Sequence, residues 1–290
     1  MMNKIYTKLF NFCEIGDDFP TLIMGVINLS PESFYKGSIY NDLQSIETIA
    51  KTMISNGAKI LDLGARSTAP WSKKITIKEE INRLIPAMKT LCKLIPENII
   101  ISVDTQYREI AQTMYDISLT YKRKIIINDV SCLKTDPSIQ DFIIENNLPV
   151  ILMASKKIPG DLCTIEEIIA EFEKTISILK TKGYDEGKII LDPGIGKWIE
   201  KKKYTYDLKI IANLEKLRVF KMPVLIALSR KSFIASTLNK YKDSPEKRYN
   251  GTLSATAISI FNGAHIVRTH DVNNQLKEIV KIAKEIRRNK

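Results

Sequence analysis

PVLIALSRKSF, residues 223–233, is apolar as far as Leu228 and then becomes Ser229, Arg230, Lys231 and Ser232 with no turn residue between. An apolar run of this length suits a strand buried on both faces. Such a strand ends in two cations only where its carboxyl end opens onto something polar. The same form recurs in TLIMGVINL (21–29), KILDLG (59–64), IIISVD (99–104), KIIINDV (124–130), PVILMA (149–154), KIILDPG (188–194) and HIVRTHD (265–271).

Stretches of helical period lie between these runs, among them DLQSIETIAKTMISNG (42–57), IKEEINRLIPAMKTL (77–91), IEEIIAEFEKTISILKTKG (165–183) and PEKRYNGTLSATAISIFNG (245–263). Gly57, Gly183 and Gly263 stand where a helix would stop before the next strand. The last helix, NQLKEIVKIAKEIRRN (274–289), ends in basic residues that complement the negative end of its dipole. Eight strand–helix units in succession predict the α/β class, a (β/α)8 TIM barrel forming a single domain over residues 21–290. An open doubly wound sheet is the alternative, but no glycine-rich phosphate fingerprint follows the first strand. Residues 1–20 contain helix formers and are expected to be an N-terminal extension closing the barrel floor.

The bulk numbers exclude several classes. The 290 residues suit one large domain, and no stretch reaches the roughly 20 apolar residues of a membrane span. The N-terminal segment lacks the apolar core of a secretory signal, so the expectation is a cytoplasmic protein. Cys13, Cys92, Cys132 and Cys163 show no paired spacing, and His265 and His270 are the only histidines, which argues against a zinc site. The net charge of +11 comes from lysines spread along the chain beside glutamates. No nucleic-acid signature accompanies them, so the field suits an anionic small substrate.

In such a barrel the active site lies at the carboxyl ends of the strands. Those ends carry Asn28, Asp62, Asp104, Asn128, Ser155, Asp192, Arg230 with Lys231, and Arg268 with His270. Asp104, Asn128, Asp192 and Lys231 offer carboxylates, an amide and an ammonium, a set able to satisfy a flat heterocycle with both donors and acceptors. Asn28, Arg268 and His270 suit a phosphate and a metal ion bound to it. Each also admits a structural reading: Asp104 as a helix N-cap, Asp192 as the start of a turn before Pro193, Asn128-Asp129 as turn residues, and His270 as packing. The segments 30–43 and 65–77 are longer than usual βα connections and are candidate lids.

NLSPESF (28–34), LDLGARSTAP (61–70), SVDT (102–105), INDVS (127–131), LDPGIG (191–196), SRKSF (229–233), GTLSATA (251–257) and RTHDV (268–272) resemble, in order, the successive motifs of the dihydropteroate synthase family. The resemblance implies a pterin-binding barrel that condenses 6-hydroxymethyl-7,8-dihydropterin pyrophosphate with p-aminobenzoate and releases pyrophosphate. It implies that Asp104, Asn128, Asp192 and Lys231 hold the pterin, with Asp62 and Arg230 also on the substrate side. Asn28 would hold Mg2+, and Arg268 and His270 the pyrophosphate. Phe34, Thr68, Pro70, Lys231 and Ser232 would frame the arylamine. Lys231, Arg268, His270 and Asp104 are the expected catalytic set, and a homodimer through barrel helices is implied.

The sequence departs from that pattern in three places. Arg66 precedes Ser67-Thr68 where the family has Glu, and Ala69 follows where it has Arg. Ala154-Ser155 follows Met153 in place of His-Met, and Lys197-Trp198-Ile199-Glu200 follows the LDPGIG motif. The changes cluster near the arylamine and the loops, which suggests a second possibility. Arg66, Lys73 and Lys74 would then receive a larger anionic arylamine, 4-(β-D-ribofuranosyl)aminobenzene 5′-phosphate, as in an archaeal-type relative. Pterin-dependent methyl transfer and a nucleic-acid-binding barrel are the competing functions; the first needs no pyrophosphate clamp.

Overall fold

The computed structural model describes residues 4–30, 42–67, 72, 74–196, 199–239 and 243–290. Strands β3 (Leu22–Asn28), β4 (Ala58–Gly64), β5 (Ile100–Asp104), β6 (Ile125–Asp129), β7 (Val150–Met153), β8 (Ile189–Asp192), β9 (Leu225–Ala227) and β10 (Ile266–Thr269) are parallel. They pair in the order β8-β7-β6-β5-β4-β3-β10-β9. The ring closes between its ends, where Leu191 N–H donates to the Pro223 carbonyl at 2.9 Å and Leu191 bridges Val224. The fold is the expected (β/α)8 barrel in one domain.

Helices α1 (Leu43–Ser55), α2 (Ile77–Leu94), α3 (Arg108–Thr120), α4 (Ser138–Glu145), α5 (Ile165–Thr181), α6 (Tyr204–Ala212), α7 (Ser232–Thr237), α8 (Tyr249–Phe261) and α9 (Asn274–Arg288) follow the strands in turn. Their starts are written locally. Thr76 with Glu79, and Thr164 with Glu167, form reciprocal capping boxes that satisfy otherwise orphaned N–H groups. Their ends follow the glycine rule, with φ of 100° at Gly57, 80° at Gly183 and 120° at Gly263.

Side chains alternate along each strand, and this alternation organises the barrel interior. Met24, Ile60, Ile100, Ile126, Ile151, Ile190, Leu225 and Ile266, one from each strand, form a buried apolar layer. Two residues further along, the inward positions are Val26, Asp62, Ser102, Asn128, Met153, Asp192, Ala227 and Arg268. The interior therefore changes from dry to polar within one step toward the carboxyl ends.

The N-terminal segment is a hairpin, β1 (Tyr6–Leu9) with β2 (Cys13–Gly16), and not the helix that its composition predicts. Its burial alternates, with Thr7 and Leu9 buried and Tyr6 and Lys8 exposed, and this period of two outweighs helical propensity. Leu9, Cys13 and Ile15 join the apolar layer of the barrel, and Thr7 Oγ1 donates to the Gly187 carbonyl at 2.8 Å.

Candidate active site

The polar inner layer has Arg268 at its centre. Its Nε donates to Asp62 Oδ2 at 2.6 Å, and Nη2 donates to Asp104 Oδ2 at 2.9 Å. Asn128 Nδ2 donates to Asp62 Oδ1 at 3.3 Å, so the fully buried Asp62 carboxylate is shared between β6 and β10. Burial opposes the Arg268 charge, but Asp62 and Asp104 outweigh it and hold the guanidinium protonated. Burial raises Asp104 to about 7, the Asp62 charge adds to this, and Arg268 works against it. Gly64 permits the crowding: a Cβ there would stand 3.2 Å from Asp104 Cβ.

Asp192 and Lys231 form the opposite side. Asp192 Oδ1 accepts from Gly194 N–H at 2.8 Å, and burial raises its carboxyl pKa while the Lys231 charge opposes the shift. Lys231 stands at the N-cap position of α7 without a side-chain capping bond, and its Nζ donates to the Ile195 carbonyl. Burial lowers its ammonium to about 8, with Asp192 as the main counterweight.

His270 Nδ1 lies 2.9 Å from Ser229 Oγ, which also accepts from His270 N–H at 3.3 Å. Burial, then Arg268, Arg230 and Lys231, push His270 down to about 3. It is thus a neutral imidazole near pH 7. Asn28 Oδ1 accepts from Ser30 N–H at 2.9 Å. Among the described residues no group of three or more His, Cys, Asp or Glu side chains is placed to hold a metal ion. One amide oxygen fits Mg2+ only as an ion whose remaining ligands are substrate phosphates and water.

Asp62, Asp104, Asn128, Asp192, Lys231, Arg268, His270 and Asn28 thus line one mouth or its floor. The expected split into a pterin half and a pyrophosphate half is bridged, because Arg268 contacts Asp62 and Asp104 directly. Asp62 and Arg268 sit within their strands, pointing inward just below the tips, whereas Asp192 is the last residue of β8. Ser232 is exposed at the start of α7. Phe34, Thr68 and Pro70 lie outside the described residues, as does Lys73.

Arg230 differs from its expected use. Its Nε and Nη2 each donate to Asp271 at 2.8 Å, Nη1 donates to the Pro245 carbonyl at 3.0 Å, and the guanidinium lies over Tyr249. Arg66 is likewise engaged: its Nε donates to buried Glu80 at 2.6 Å and its guanidinium lies 5.1 Å from the Tyr107 ring centroid. Ser102, beside Asp62 in the inner layer, and Ser229, the partner of His270, were missed from sequence. The period of two applied to IIISVD would have placed Ser102 on the inner face with Asp104.

Residues 24–270 match the family model described as pterin binding enzyme. The dihydropteroate synthase of Bacillus subtilis is 34% identical over 264 residues, covering 91% of this chain and 87% of that protein. A structure of a Coxiella burnetii dihydropteroate synthase in complex with pteroic acid is similar, with a TM-score of 0.82, 30% identity and 98% of both chains covered. The Xanthomonas albilineans dihydropteroate synthase with 4-aminobenzoic acid gives a TM-score of 0.81 and 25% identity, again over 98% of both chains.

Proposed function

Because the chain belongs to the pterin binding enzyme family, we propose that its barrel mouth condenses 6-hydroxymethyl-7,8-dihydropterin pyrophosphate with p-aminobenzoate. The protein is a transferase of the dihydropteroate synthase type. The observation that carries the reading is the inner layer itself, with Asp62, Asn128, Asp192 and Arg268 gathered above an apolar floor.

The pterin lies against Asp104, Asn128 and Asp192, whose carboxylates and amide meet its N–H groups and carbonyl. Lys231 donates to a pterin acceptor from the other side. Arg268 and neutral His270 receive the pyrophosphate. The bond from the methylene carbon to oxygen breaks, its electron pair leaves with pyrophosphate, and the arylamine nitrogen forms the new C–N bond and releases a proton. An arylamine is already neutral and nucleophilic, so this chain needs to orient it and stabilise the leaving charge. Asn28 would hold Mg2+, which supplies Lewis-acid stabilisation of the leaving group when bound. Phe34, Thr68, Pro70 and Ser232 are the proposed frame for the arylamine. Arg230 fixes the rim through Asp271.

The larger anionic arylamine has less support, since the Arg66 guanidinium is held by Glu80 and Tyr107. Pterin methyl transfer gives no use for a cation on the barrel floor facing a leaving anion. The reading carries with it a cytoplasmic enzyme and a homodimer, the latter checked by sedimentation. No helix among the described residues is long and apolar enough to cross a membrane.

An assay of pyrophosphate release tests the reaction. Release that requires both substrates and equals the pteroate formed is expected. Release without the arylamine, or none with both present, overturns the proposal.

A further inference from the structure

The turn after β8 is held from two sides. Facing the mouth, Asp192 accepts from Gly194 N–H and Lys231 donates to the Ile195 carbonyl. Facing α6, Lys202 Nζ donates to the Gly194 carbonyl at 3.2 Å and Asp207 Oδ1 accepts from Gly196 N–H at 2.9 Å. Lys202 and Asp207 are themselves paired at 3.2 Å, and both side chains are 0% exposed. No ligand at the mouth can reach them.

From this geometry we infer that Lys202 and Asp207 are positioning residues for pterin, acting through the Gly194–Gly196 turn on Asp192 and Lys231. The inference rests on the proposed pterin reading of the mouth and adds to it two residues that touch no substrate.

The turn needs such support. Gly194 and Gly196 have φ of 71° and 137°, backbone conformations on either side of Ile195 that favour glycine. A Cβ on Gly194 would stand 3.0 Å from the Ala154 carbonyl oxygen, so the segment runs close against the end of β7. Its groups are bonded alternately, the Gly194 N–H and Ile195 carbonyl by site residues, and the Gly194 carbonyl and Gly196 N–H by the buried pair. Removing the second set frees the Ile195 carbonyl to turn, and with it the Lys231 ammonium. A buried ion pair adds little stability over an apolar pair of equal volume, so stability alone does not account for its place here. Misplacement by about 1 Å is enough to cost binding and rate severely.

Two double variants separate positioning from packing. Lys202→Gln/Asp207→Asn removes the charges and keeps a donor for the Gly194 carbonyl and an acceptor for Gly196 N–H. Lys202→Met/Asp207→Leu keeps the bulk and removes both bonds. The expected result is a pterin substrate KM within about twofold of the parent for the polar variant and raised roughly tenfold or more for the apolar one, with the arylamine KM unchanged in both. Direct calorimetry with the pterin alone should show the same order, and it reads the clamp even if turnover with p-aminobenzoate is absent, a failure that would count against the functional reading instead. Equal pterin affinity in the two variants overturns the inference. Should the apolar variant not fold, Lys202→Met/Asp207→Asn removes only the bond to the Gly194 carbonyl; pterin affinity equal to that of the polar variant then overturns it.

Discussion

Arg268 donates to Asp104 at 2.9 Å across 164 residues of chain, while its Nε is bound to Asp62. One cation thus serves two carboxylates, and Asp104 is left with a pKa near 7 through burial and the Asp62 charge. A folded-state pKa above the ordinary 3.8 means that the native protein binds this proton more tightly than the unfolded chain. Stability from this source is present below about pH 4 and is lost as pH rises through 7. Asp104→Asn removes the loss. At pH 8 the variant should gain about 1 kcal/mol or more in urea unfolding of the ligand-free protein. Its pterin affinity should fall roughly ten- to a hundredfold. A less stable variant with intact pterin binding would make Asp104 a scaffold residue.

Lys231 has the opposite sign. Burial lowers its ammonium to about 8 in spite of Asp192, so the charged form fades within the accessible pH range. Pterin affinity should therefore decline above about pH 8. Lys231→Met should bind roughly tenfold more weakly at pH 7 and lose that decline. Asp192→Asn takes away the counter-charge and should bring the decline to lower pH. Both variants should melt within a few degrees of the parent. Isothermal titration from pH 6 to 9 checks the limb, and a large fall in Tm with pterin binding intact contradicts the assignment.

Acid stability is set at the other end of the barrel. Asp17 accepts from Arg218 Nη2 at 2.8 Å, from Arg287, and from the backbone of Ile5 at 2.9 Å, with His265 Nε2 at 3.2 Å. Burial pushes His265 from 6.5 down to about 4. Burial also acts to raise Asp17, but the bonds from His265 and Arg218 win and hold its carboxyl well below the usual range. Both groups then favour unfolding as acid is added: His265 between about pH 6.5 and 4, Asp17 below about 4. His265→Gln should flatten the first window of a Tm-against-pH curve and leave the second. Asp17→Asn should cost about 3 kcal/mol at pH 7, since two arginines lose their shared anion.

The barrel was legible because each strand is apolar on both faces, and the glycine stops after α1, α5 and α8 separate strands from helices without help from tertiary context. The mouth was legible where a charged side chain ends such a run, as with Asp104 and Lys231. Asp62 and Arg268 stand at inward positions within their strands, and only the alternation shared by neighbouring strands reveals that they meet. Pairing was less legible still. Arg230 and Lys231 are adjacent cations in sequence, yet a φ of 57° at Arg230 sends the two side chains to different partners. Nothing in SRKSF specifies that turn.

Arg230 therefore supplies a test of its own. Its bidentate pair with Asp271 is nearly buried, with side-chain exposures of 8% and 14%, and Thr252 Oγ1 accepts from its backbone N–H at 3.0 Å. These bonds join the end of β9 to α8 and to the segment after β10. Arg230→Met leaves Asp271 without its cation and should cost about 3 kcal/mol, as should Asp271→Asn in reverse. The double variant should lose less than the sum, with a coupling of about 1–3 kcal/mol in a double-mutant cycle. Because the guanidinium is directed at Asp271 and the Pro245 carbonyl, the pterin KM of the folded Arg230→Met protein should stay within about twofold, the scale on which no direct ligand bond has been removed. A tenfold rise in that KM with unfolding free energy unchanged would return Arg230 to the substrate ligands.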